Sequence, residues 1–196
     1  MAIASIIGCL VFIWRSARAP QPVVDFSAFR NFNFALGCIF SCVLGIGLYG
    51  LTYLYPLYLS RIRGYDSLMI GETLFVSGLA MFCTAPLAGA LSRKLDPWFM
   101  LLAGFIGFGI STEMLTRMTD QWDFWELFWP QVLRGCSLMI CMVPINNVAL
   151  GTLPLAKIKN ASGLYNLMRN LGGAVGLAII TTLLIKRADL HYDRMV

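Results

Sequence analysis

Hydrophobic positions in this chain fall into five long runs, at about 34–59, 68–91, 98–118, 127–153 and 162–185. Short stretches separate them, in which charged residues, proline, tryptophan and tyrosine collect. At a rise of about 1.5 Å per residue, each run is long enough to cross a hydrocarbon layer of about 30 Å as a helix. The predicted fold class is therefore an all-α integral membrane bundle. A sixth apolar piece, residues 1–14, is too short to span and stops at Arg15. No basic residue precedes it, and Pro20 directly follows the "ARA" at 17–19 that would otherwise resemble a leader cleavage site. It reads as the end of a truncated span, followed by a polar linker at 15–33. Residues 186–196 read as a polar tail.

Composition strengthens this picture. The chain of 196 residues is 58% hydrophobic and 13% charged, with a mean hydropathy of +0.72. A soluble domain of that length needs a polar coat, and too few charges are present to make one. The net charge of +5 does not point to nucleic acid, because the basic residues are scattered through loops and form no stripe with interleaved aromatics. Alternate crossing of the spans puts Arg15, Arg18, Arg30, Arg93, Lys94, Lys157 and Lys159 on one side and Arg61, Arg63, Arg117, Lys186, Arg187 and Arg194 on the other. The bias leans slightly toward a cytoplasmic location for the first set.

Several motifs lose their meaning in this setting. "GIGLYG", Gly45 to Gly50, satisfies the dinucleotide pattern G-x-G-x-x-G, but no strand precedes it and it lies midway along an apolar run. Glycine there reads as a point of close helix approach. The six cysteines (Cys9, Cys38, Cys42, Cys83, Cys136 and Cys141) form no CxxC pair, and His191 is the single histidine. The expected reading is packing thiols, with no metal site and no cofactor. No nucleophile–base or metal-ligand constellation points to an enzyme. Trp122, Trp125 and Trp129, in "DQWDFWELFWP", read as anchors at the headgroup level.

Ionisable residues at membrane depth carry more information, because hydrocarbon tolerates them only where they face protein or water. Glu72 and Glu113 stand near span ends and read as headgroup-level carboxylates. Arg134 lies further in, with Ser137 and Cys141 on its face and Pro144 beyond. Arg169 is the most telling. At about 100° per residue, Ser162, Tyr165, Asn166, Gly172, Gly173 and Gly176 fall within about 60° of it. Leu164, Leu167, Leu171, Ala174 and Ala178 fall on the opposite side. The predicted helix therefore turns Leu and Ala to lipid, and turns inward a face that is polar first and glycine-lined afterwards. Gly172, Gly173 and Gly176 are candidate packing positions. Arg169, Asn166, Tyr165 and Arg134 are candidate positions along a substrate pathway.

Five segments, taken in order and spacing, resemble a known family. They are "DFSAFRNFNF", "YLYPLYLSRIRGYDSLMIG", "PLAGALSRKLDP", "LRGCSLMICMVPINNVALGTLP" and "NASGLYNLMRNLGGAVGLAI". Together they look like the C-terminal half of the 14-span major facilitator drug:proton antiporters of the EmrB/QacA type. The resemblance implies an incomplete C-terminal helical bundle of the major facilitator fold, multi-pass in the inner membrane. Residues 1–14 would be the end of span 8 and the five runs spans 9 to 13. Residues 15–33 would be a cytoplasmic linker, and 186–196 the start of a periplasmic loop. It implies proton-driven efflux of drugs or toxic amphipathic compounds, with the usual proton-coupling residues in a missing N-terminal half. Implied partners are the lipid bilayer, that missing half, a small-molecule substrate, and a periplasmic adaptor with an outer-membrane channel. The segment "GALSRKLDPW" is similar to the family's loop motif G-x-L-x-D-R-x-G-R-R. Gly89 and Leu91 match and Lys94 replaces an arginine, while Arg93, Asp96 and Trp98 stand in place of the aspartate, the second glycine and a basic residue. A major facilitator carrier of another solute, or a non-transporting membrane remnant, fits the same physics.

Overall fold

The computed structural model describes residues 26–119 and 122–192. Residues 1–14, read above as the end of a span, and most of the linker lie outside the described residues. The linker's last part is ordered: Phe26–Arg30 forms a short 3-10 turn that leads into the first long helix. Five helices follow, α1 (Phe32–Arg61), α2 (Ser67–Leu91), α3 (Pro97–Thr116), α4 (Phe124–Leu150) and α5 (Leu155–Tyr192). Each contains a segment long and apolar enough to cross a membrane.

Local chemistry sets the boundaries. The Asn31 side chain accepts from the Asn33 N–H at 3.0 Å and so caps α1, while its amide donates to Thr152 Oγ1 at 3.3 Å across the α4–α5 connection. Asp66 caps α2 by accepting from the Ser67 N–H at 2.7 Å. Pro97 opens α3, where its missing N–H costs nothing. The Glu126 carboxylate accepts from the Asp123 N–H at the start of α4, which sets that start at Phe124 rather than 127. Gly64 adopts φ +65° in the short α1–α2 connection, a left-handed conformation that glycine alone takes without strain. α5 is longer than its apolar run at both ends. Lys157 and Lys159 lie on its first turns, and the tail expected from 186 stays helical to Tyr192.

α4 is the central helix. It packs against α2, α3 and α1, while α1 also packs along α5. Two apolar clusters result. The larger one joins Phe34, Leu44, Leu101, Ile145, Leu164 and Tyr165 toward one end of the bundle. The smaller one joins Tyr55, Leu59, Leu115 and Leu127 toward the other. Between them, on α1 and α4, lie Thr52, Gln131, Arg134 and Ser137, with Ser111 of α3 and Thr73 of α2 at similar levels. A polar layer is thus held between two apolar ones.

The outer faces are apolar, as a lipid-facing surface requires. Phe75, Phe82, Leu87, Phe99, Leu102 and Ile106 all stand exposed on α2 and α3. Trp125 and Trp129 are exposed near the start of α4, stacked edge to face on Phe124 and Phe128 respectively. Trp122, just before α4, is half-buried against the smaller apolar cluster.

The loops of this up-and-down bundle alternate between its ends. Single cysteines replacing Lys94 and Thr119, in a cysteine-free background, should respond oppositely to a membrane-impermeant thiol reagent in intact cells. Position 119 should label from outside and position 94 only after permeabilisation. Equal labelling at both positions would contradict the alternation.

Candidate functional site

The two arginines at membrane depth organise the site. Arg169 lies nine residues into the membrane-length segment Asn160–Arg187, about 14 Å along a helix and so near the middle of a hydrocarbon layer. It sits half-buried in the contact between α5 and α1. Its Nε donates to Ser41 Oγ at 3.3 Å, and its guanidinium lies 5.0 Å from the centre of the Tyr165 ring, within reach of a cation–π attraction. Ser41 and Tyr165 are buried. The Tyr165 hydroxyl has no partner among the described residues.

Beside Arg169, the edge of the α1–α5 seam is polar and exposed. The Tyr49 hydroxyl donates to Asn170 Oδ1 at 2.8 Å, and Asn166 stands exposed one turn before Asn170. Asn166 therefore lies at the rim of the seam rather than inside it. The seam is this tight because it is lined by glycine on both sides. A Cβ added at Gly45 would collide with the Arg169 carbonyl oxygen, and one at Gly172 with the Cys42 backbone. Gly173 faces the Tyr49 ring and Gly176 the Ile46 side chain, so all three candidate packing glycines of α5 lie against α1. Leu171, Leu167, Ala174 and Ala178 are exposed as their helix angle requires. Leu164 is the exception. Expected at the lipid, it is 1% exposed because α5 is enclosed near its start by the larger apolar cluster, which includes Ala149 and Cys38.

Arg134 is placed differently. It lies on the most buried face of α4, in line with Leu127, Leu138, Cys141 and Ile145, and is 4% exposed. Its Nη2 donates to Thr52 Oγ1 at 3.0 Å and its Nη1 to Gln131 Oε1 at 3.4 Å. Thr52 can accept because its own proton goes to the Leu48 carbonyl at 2.6 Å. Pro56, one turn on, also leaves the Thr52 carbonyl without its usual helix donor. Arg134 Nε, Gln131 Nε2 and the Tyr55 hydroxyl are buried without a partner. Tyr55 neighbours Gln131, Thr73 and Arg134, yet none of them meets its hydroxyl at hydrogen-bonding geometry. The sequence flagged Arg134 by its depth; Thr52 and Gln131 carried no signal without knowledge of which helices touch.

The remaining sequence candidates are at the end of α2 and in the α2–α3 loop. Leu91, Arg93, Lys94 and Asp96 are exposed, and Gly89 has open space where a Cβ would stand. Among the described residues none of these charges forms an ion pair; the pair found is Glu113–Arg117 at 3.0 Å, on the exposed side of α3. Cys136 accepts from Thr84 Oγ1 at 3.1 Å, a packing contact between α2 and α4. Clefts open elsewhere as well, one of about 500 Å³ along Leu68, Glu72, Phe75 and Phe124. One of about 450 Å³ between α1 and α3 is lined by Leu51, Tyr55, Tyr58 and Thr112 among others. Another of about 350 Å³ has Tyr65, Glu72, Thr73 and Asp123 in its wall.

Both arginine contacts have measurable consequences. Gly172→Leu or Gly45→Leu should lower stability by about 1–3 kcal/mol or prevent accumulation, because overpacking forces the backbones apart. Leu171→Ala, on the exposed face, should change it by about 0.5 kcal/mol or less. Thermal unfolding of the purified protein compares them, and equal effects would remove the seam from the account. Thr52→Val should destabilise by about 1–3 kcal/mol, since it strands a buried guanidinium donor. Adding Arg134→Met should recover most of that loss by removing the charge itself. Strict additivity in this double-mutant cycle would show that the two residues do not interact.

Comparison with known proteins places this arrangement. The chain is 42% identical over 192 residues to the colistin resistance protein EmrB of Acinetobacter baumannii, covering 97% of this chain and 37% of that protein. It is 29% identical over 195 residues to the fatty acid resistance protein FarB of Neisseria gonorrhoeae, covering 99% of this chain and 38% of that one. It is 26% identical over 188 residues to the multidrug export protein EmrB of Escherichia coli K12, with 95% and 36% covered. The chain thus spans a little over a third of the length of these relatives. Five membrane-length apolar helices and these relatives make it a multi-pass protein of the inner membrane. The Major Facilitator Superfamily pattern matches residues 1–177, and the chain belongs to that superfamily.

Proposed function

We propose that these five helices form one wall of an exporter that moves amphipathic small molecules out of the cell, driven by inward proton flow. The observation that carries this reading is the polar seam. Asn166, Asn170, Tyr49 and Arg169 reach the bundle surface within the membrane-length segments, while the outer faces of α2 and α3 are largely apolar. A polar strip at that depth serves an aqueous or protein-lined pathway, because lipid would leave its groups without partners. Alternating access requires such a strip on each of two facing halves. The relatives' names, which cite multidrug export and resistance to colistin and to fatty acids, support the same reading.

In this reading Arg169, Asn166 and Tyr165 contact or position cargo, and Arg134 holds the wall together behind them. The protein is a carrier and not a catalyst. Its partners are the N-terminal half of the transporter and, in a double-membrane cell, a periplasmic adaptor with an outer-membrane channel. In the same reading the exposed charges Arg93, Lys94 and Asp96 meet that N-terminal half at the cytoplasmic face.

Reconstitution tests this. The chain alone in vesicles with an imposed pH gradient should show no dye uptake above empty vesicles. The complete transporter should show proton-dependent uptake, which Arg169→Ala together with Asn166→Ala should reduce by about tenfold or more. Full activity of that double variant, or uptake unaffected by collapsing the pH gradient, would defeat the reading.

A further inference from the structure

The polar layer between α1 and α4 holds an arrangement that the seam does not use. Two pairs of side chains face each other across it, Thr52 with Arg134 and, one turn along each helix, Tyr55 with Gln131. Thr73 of α2 stands beside Tyr55. Tyr55, Gln131 and Arg134 are 3%, 0% and 4% exposed. Buried polar groups are almost always partnered, yet the Tyr55 hydroxyl, Gln131 Nε2 and Arg134 Nε meet no acceptor among the described residues.

What these three side chains leave over is donors and one positive charge. Gln131 Oε1 already accepts from Arg134 Nη1 at 3.4 Å, which leaves its amide hydrogens. Tyr55 could accept one of them, but its own proton and Arg134 Nε would still be left over. No carboxylate is at hand to balance the guanidinium. α1 carries no acidic residue, and the one on α4, Glu126, is eight residues from Arg134, about 12 Å along the helix. Glu72 of α2 stands exposed. A buried charge without an opposite one is costly, and an anion here would meet both demands at once.

The same groups say which anion fits. A carboxylate pairs best with the two-nitrogen edge of a guanidinium, and here Nη1 and Nη2 are already engaged, leaving Nε. Single donors from three side chains on two helices suit a spherical ion. One arginine balances one negative charge, so a divalent oxyanion would bring one too many. An entrance is present as well, because Tyr55 lines the cleft of about 450 Å³ between α1 and α3. We propose that Tyr55, Gln131 and Arg134 bind a halide ion, chloride in the cell, as the counter-charge of the buried arginine. The site belongs to the inside of the wall and stands whether or not the seam carries cargo.

The complete transporter is purified into lipid nanodiscs in sodium gluconate, and its unfolding temperature is followed as chloride replaces gluconate at constant ionic strength. The midpoint should rise by about 3 °C or more along a saturating curve, since a ligand of the folded state stabilises it by mass action. Bromide should act alike, and crystals grown in bromide should show its anomalous scattering between the three side chains. Tyr55→Phe, which removes one donor and keeps the ring, should raise the half-saturating chloride concentration by about tenfold. Arg134→Met should abolish the chloride dependence. A midpoint that ignores chloride in the wild type overturns the proposal and leaves the donors to water or backbone. A chloride dependence unchanged in Tyr55→Phe, or bromide scattering only elsewhere, overturns it too. These outcomes decide the matter even where the methionine variant fails to fold.

Discussion

A guanidinium cannot lie bare in hydrocarbon, and most of this structure follows from how two of them are accommodated. Moving such an ion from water into a low-dielectric interior costs several kcal/mol even after relaxation. Arg134 and Arg169 meet that cost with hydroxyls instead of carboxylates, and both hydroxyls belong to α1. α1 therefore has to pass close to α4 at Thr52 and close to α5 at Ser41. Gly45 and Gly172 make the second approach possible, because only bare backbone leaves room for it. The first is helped by Pro56, which frees the Thr52 carbonyl beside the same polar layer.

The layering of the bundle has the same origin. Most of the polar layer is kept from water and lipid alike: Gln131, Arg134 and Ser137 are buried, while Thr52 stands exposed at its edge. The apolar clusters around Ile145 and around Leu127 close it from the two ends. Such a layer specifies which helices meet, because Arg134 of α4 finds Thr52 of α1 within it.

Much of this could be read from the chain itself, and the rest was hidden for identifiable reasons. The five spans follow from run length alone, and Arg169 with its glycines follows from helix periodicity, because both signals are local. Helix ends were displaced where caps decide them: Glu126 starts α4 before its apolar run, and the long polar end of α5 stays helical to Tyr192. Leu164 was misplaced because an angle on a helix wheel assumes the same surroundings along the whole helix, whereas α5 is enclosed at its start and open beyond. Thr52 and Ser41 could not be identified at all. A serine or threonine in an apolar run normally bonds its own helix, as Thr112 and Thr181 do, and nothing local distinguishes one that also receives an arginine from another helix.

The exposed amides bear on what kind of surface the seam is. Asn166 and Asn170 lie within two turns of each other near mid-membrane, and both are exposed on the isolated bundle. An amide moved from water into hydrocarbon without a partner loses about 4–8 kcal/mol. Asn170 keeps one bond, from the Tyr49 hydroxyl, but the cost of Asn166 and of a half-exposed guanidinium is still large against the stability typical of a whole domain, about 5–15 kcal/mol. Snorkelling does not relieve them, since an asparagine side chain is too short to reach the headgroups from that depth. Protein or water over the α1–α5 seam would supply the partners that lipid cannot.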